Sequence, residues 1–63
     1  MKANERIDCI SERIKNSDIP VSGSTLAKEF DVSRQIIVKD IAELKQQGVD
    51  VIATARGYII NKP

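Results

Sequence analysis

The sequence has no histidine, a single cysteine and no long apolar run, and each absence removes a class of function. Without histidine, Ser-His-Asp and Cys-His nucleophilic arrangements and an ordinary zinc site are excluded. The lone Cys9 cannot form an internal disulfide and fits a reducing compartment, so the expected location is cytoplasmic. No stretch approaches the ~20 apolar residues that a membrane-spanning helix needs. The opening MKANERIDCISERIKN is charged throughout and lacks the apolar centre of a signal peptide. Carboxylate or lysine chemistry stays formally open, but so short a chain is not expected to wall off a pocket of ~300 Å³ or more. The sequence predicts no catalytic residue and no metal or cofactor site.

What is present is one domain's worth of chain, 63 residues, 41% hydrophobic and 30% charged. A domain of this size buries only about 60% of its unfolded surface and is marginal unless a partner subunit or second domain supports it. Net charge is +1 and the pI is 7.9, below the ~9 common among nucleic-acid-binding domains. The distribution is less even than the total. Residues 1–32 carry five Lys/Arg and six Asp/Glu, whereas residues 33–63 carry five and three.

The pattern along the chain predicts three helices and a hairpin, a mainly α fold with a small β element. Ala3, Ile7, Ile10 and Ile14 recur at helical spacing over about Asn4–Asn16, with Cys9 off the stripe. Asn16-Ser17-Asp18 ends that helix, and Pro20 holds Ile19 extended. Val21 is expected to enter the core from a short extended piece. Ser22 then caps a second helix over Gly23–Phe30, whose inner face is Leu26, Ala27 and Phe30. After an Asp31-Val32 turn, Ser33 caps a third helix to about Gln47, with Ile37, Ile41 and Leu44 inward. Gly48 sits where a helix end favours a left-handed residue. Val49–Thr54 and Tyr58-Ile59-Ile60 read as strands joined by a three-residue connection, Ala55-Arg56-Gly57, whose glycine supplies positive φ. Asn61-Lys62-Pro63 closes the chain with breakers.

Two helices joined by so short a turn pack at a steep angle. Ala27 allows their close approach, and Leu26, Phe30, Val32 and Ile37 fill the space between them. Asp31 must take the left-handed conformation where glycine is common, a place aspartate tolerates better than most residues. Apolar stripes alone would fit any three-helix domain. The outer face of the third helix is more telling, because Ser33, Arg34, Gln35, Ile36 and Lys39 present no acid before Asp40. Arginine pairs with guanine and glutamine with adenine in a DNA major groove. Serine and lysine suit phosphates. Ile36 is open between a core-edge position and contact with a thymine methyl. Ser22, Ser24 and Thr25 stand at the positive end of a helix dipole, where capping and a phosphate contact are compatible. Arg56 and Gly57 form a hairpin tip that can reach a minor groove or a phosphate, although a lone exposed arginine also serves solubility. Tyr58 is expected to pack its ring under the hairpin.

The run from Pro20 to Lys62 resembles the N-terminal domain of niacin-responsive transcription repressors. The matching elements are Pro20-Val21-Ser22-Gly23, Val32-Ser33-Arg34-Gln35, Ile37-Val38, Asp40-Ile41-Ala42, Ile52-Ala53-Thr54 and Arg56-Gly57-Tyr58. The DNA-binding domain of the biotin operon repressor has similar Ser-Gly, Ser-Arg, Gly-Val-Asp-Val and Gly-Tyr elements. The resemblance implies a three-helix winged helix-turn-helix over residues 1–63, the reading head of a dimeric repressor on a double-stranded operator near vitamin-salvage genes. It also implies a C-terminal effector domain, absent from this sequence, that senses nicotinic acid and carries histidine metal ligands. The near-zero net charge leaves a second use of the same fold open, as a protein-interaction module.

Overall fold

The computed structural model describes residues 2–61. Met1, Lys62 and Pro63, and with them the end of the expected closing segment, lie outside the described residues. Three helices, α1 (Ala3–Lys15), α2 (Gly23–Phe30) and α3 (Arg34–Gln46), precede an antiparallel hairpin of β1 (Val51–Thr54) and β2 (Gly57–Ile60). This is a winged helix-turn-helix, mostly helical, with the hairpin as its wing.

Capping chemistry sets the helix boundaries. The Ser22 hydroxyl accepts the backbone N–H of Thr25 at 3.1 Å, and that of Ser33 accepts Ile36 N–H at 3.2 Å. Each satisfies a donor that the first helical turn leaves without a partner. Two helices end by the same device. At α2, Val32 N–H donates to Ala27 C=O and Asp31 N–H to Lys28 C=O, with Asp31 left-handed at φ 55°, ψ 48°. At α3, Val49 donates to Leu44 and Gly48 to Lys45, with Gly48 at φ 91°. Both are Schellman closures. The first creates the tight turn between α2 and α3.

Ile7, Ile10, Ile14, Val21, Leu26, Ala27, Ile37, Ile41, Leu44 and Val51 form the core, with Phe30, Val32, Val49, Tyr58 and Ile60 packed around it. The i, i+4, i+7 face of α3 is therefore as expected. The α1 stripe is shifted by comparison. Ala3 is exposed, and Ser11 is buried beside Ile7, Ile10 and Ile14. Ala3 lines the open groove between α1 and α3 instead of entering the core. Phe30 is half-buried rather than fully inward.

The wing differs from expectation in two details. Val49 and Asp50 precede β1, and the register Thr54↔Gly57 leaves only Ala55-Arg56 between the strands. Among the described residues Asp31 alone has positive φ without being glycine. Ala55 and Arg56 therefore keep negative φ, and the chain reverses its twist at Gly57, φ 139°, now the first residue of β2. In addition, Val21 bridges Tyr58 through two backbone hydrogen bonds of 3.0 and 2.8 Å. The piece before α2 thus lies along β2 and ties the wing to the helix-turn-helix unit.

Candidate nucleic-acid interface

The interface is best built outward from α3, because its polarity is set by what it hides. Asp40 is buried, with its side chain 4% exposed, and its carboxylate accepts two hydrogen bonds from the Arg6 guanidinium, at 2.6 and 3.1 Å. The hydrogen bonds to Asp40 raise the Arg6 pKa above its ordinary value, while partial burial opposes the rise. This bidentate pair joins α1 to α3 and withdraws the acid that the sequence placed at the edge of the reading face. Glu43, the next acid, lines the groove between α3 and α1 together with Arg6, Ile36 and Lys39. The outward surface of α3 through its first two turns is left with Arg34, Gln35, Val38 and Lys39 exposed.

At 100° per residue, Arg34 and Ile36 lie on opposite flanks of α3. Arg34 faces the wing: it lines one cleft with Ser22, Gly23, Thr54, Arg56 and Tyr58. A Cβ placed on Gly23 would lie 4.0 Å from Arg34 Nε and 3.7 Å from the Tyr58 ring. Two arginines thus border the amino end of α2. Ile36 faces α1 and is half-buried there, while Lys39 is exposed at the rim of the same groove.

Ser22 is half-buried and committed to its cap, with Thr25 Oγ1 2.9 Å from its hydroxyl. Ser24 and Thr25 are exposed. Together with Lys28, Asp31 and Arg34 they line a wide open groove of about 590 Å³ beside the helix-turn-helix turn. It exceeds the ~300 Å³ thought out of reach for so short a chain, but it is a surface depression between two helix ends and not an enclosed pocket. Ser33 is exposed at the start of α3, its hydroxyl holding Ile36 N–H.

At the wing tip the Thr54 hydroxyl donates to Gly57 C=O at 2.7 Å and accepts Arg56 N–H at 3.2 Å. The threonine therefore fixes the turn that displays Arg56. Gly57 has a packing task of its own. A Cβ there would fall 2.5–2.7 Å from the backbone of Val21 and Ser22, so only glycine lets the wing meet the segment that caps α2. Tyr58 is half-buried and packs against the core, with its ring also lining the cleft beside Gly23.

All ten residues singled out in the sequence fall on α2, α3, their N-caps Ser22 and Ser33, or the wing, and Ser33 and Gln35 line none of the grooves that gather the others. Ser22, Arg34, Arg56 and Gly57 share one cleft, Ser24, Thr25 and Arg34 a second groove, and Ile36 and Lys39 a third. Sequence reasoning missed the Arg6–Asp40 pair, whose partners are 34 positions apart, and the Thr54 latch. A threonine three residues before a glycine at a strand end was the available signal for the latter.

A family model described as an HTH domain matches residues 6–59. The probable transcription repressor NiaR of Thermotoga maritima is 48% identical over 56 residues, which are 89% of this chain and 32% of that protein. The transcription repressor NadR of Bacillus subtilis is 48% identical over 59 residues, 94% of this chain and 32% of that protein. The chain thus spans about a third of the length of these curated relatives.

Proposed function

The chain belongs to the HTH domain family, and on that premise we propose that it is a binding module, not an enzyme, that recognises double-stranded DNA by sequence. In this reading α3 enters the major groove and the wing lies along the backbone or minor groove. The observation that carries it is the withdrawal of Asp40 onto Arg6, which leaves the exposed Arg34, Gln35, Val38 and Lys39 of α3 without an acid on that face, while Arg34 and Arg56 share the cleft at the amino end of α2. Arg34 and Gln35 are the base readers. Ser22, Ser24, Thr25, Ser33 and Lys39 position the backbone, as do Arg56 and Gly57 at the wing. Ile36 guards the α1 side.

The similarity to two transcription repressors extends this to the reading head of a repressor. The sequence resemblance to niacin-responsive repressors extends it further, to vitamin-salvage genes, with the biotin operon repressor type as the alternative. Nicotinic acid and a metal ion then belong to a domain beyond these 63 residues. A homodimer then supplies two such heads to one operator, in the cytoplasm. Among the described residues no helix is long and apolar enough to cross a membrane.

The test is a duplex selected from a random pool, with binding followed by fluorescence anisotropy. Arg34→Ala should weaken the selected duplex by about 1–3 kcal/mol and relax sequence preference. Equal losses on selected and random duplexes would remove Arg34 from base reading. No binding to any duplex at low salt would favour the protein-interaction use of the fold.

A further inference from the structure

We infer that Val38 reads the C5-methyl group of a thymine in the major groove, an inference that rests on the DNA-binding reading above. Val38 is 56% exposed in the middle of α3, while Ile36, the other large apolar residue outside the inner face, is half-buried against α1. Ideal helix geometry puts Val38 about 40° around the axis from Arg34 and about 60° from Gln35. It therefore stands between the two polar readers and one turn further along the helix.

A single exposed valine is ordinary on a protein surface, but this one is poorly suited to a merely solvated position. β-branched residues are weak helix formers, because the helix fixes their χ1. That rigidity presents two methyl groups in one orientation with no further ordering on contact. Major-groove edges offer one apolar group, the thymine methyl, and apolar side chains recognise it. The exposed face of α3 supplies donors and acceptors for the other base edges, and along that helix Val38 is the one exposed β-branched residue, with Ala42 one turn on carrying a single methyl. The residue that supplies methyl readout is thus Val38, on the flank shared with Arg34.

The test uses the full 63-residue chain and a duplex selected on it from a random pool at low salt. Each thymine is replaced singly by deoxyuridine, which removes the methyl and keeps the base pair. The wild type should lose about fourfold in affinity at one position, the value for one buried CH₂-sized group. Val38→Ala should bind the parent duplex several-fold more weakly and be indifferent to that replacement. Its salt dependence should be unchanged, and alanine's helix propensity should keep it folded. Indifference of the wild type to every replacement, or an undiminished loss in Val38→Ala, would overturn the inference while leaving DNA binding intact. Failure to select any duplex would overturn both.

Discussion

Asp31 and Gly57 are single residues that decide how the two halves of the reading head meet. Asp31 holds the turn between α2 and α3 in a left-handed conformation, which costs an L-residue energy, and it places a carboxylate at the unfavourable end of the α2 dipole. Asp31→Gly should therefore raise stability by about 0.5–1 kcal/mol, read as a higher thermal midpoint; a lower midpoint would show that the aspartate is doing something the turn needs. Gly57 is the reverse case. Its φ of 139° and the backbone of Val21 and Ser22 behind it leave no room for a methyl. Gly57→Ala should cost about 1–3 kcal/mol or more and loosen the wing from α2, seen as faster amide exchange at Tyr58 and Val21. The special conformations at Asp31, Gly48 and Gly57 were legible in the sequence because turn and cap chemistry is local. What Gly57 packs against was not, because Val21 and Ser22 are more than thirty positions away.

At the scale of elements, packing and ion pairs together fix the pose of α3. The core stripe of Ile37, Ile41 and Leu44 sets which face points inward, and the sequence period shows it. It does not show the Arg6–Asp40 pair that clamps α3 to α1. A second bidentate pair, Arg13–Glu29, joins α1 to α2, with side chains 40% and 39% exposed against 18% and 4% for Arg6 and Asp40. Exposed pairs are screened and contribute little, whereas breaking a buried pair strands a charge. Asp40→Ala should therefore lower the thermal midpoint clearly more than Glu29→Ala, and equal shifts in parallel melts would contradict the clamp. The caps act on the same elements. Ser33→Ala should destabilise by about 1 kcal/mol and fray the turn of α3 that carries Arg34 and Gln35. The hairpin was legible as an element, but its register was not. The pairing of Thr54 with Gly57, not composition, makes the connection two residues long.

The whole molecule measures 28 × 22 × 17 Å, which sets both its stability and its reach. At roughly 0.05–0.15 kcal/mol per residue, stability should be about 3–9 kcal/mol. Leu26 is fully buried, and Leu26→Ala should cost about 2–5 kcal/mol, a large fraction of that total, read as a clearly lower thermal midpoint. A body 28 Å long covers about eight base pairs of B-DNA at ~3.4 Å each. On the proposed homodimer, one chain would match one half-site, with the two half-sites about one helical turn apart. Bulk charge does not show this capacity, because the Arg6–Asp40 pair cancels within the total and what matters is where the remaining charges lie. Binding to duplex DNA through α3 and the wing is tested most directly by affinity for a selected duplex across about 50–200 mM salt. With Lys39 and Arg56 on phosphates, log K should fall linearly with log salt at a slope of about −2, reduced by about 1 in Arg56→Ala. Binding that ignores salt, or no binding even at the lowest salt, would contradict the account.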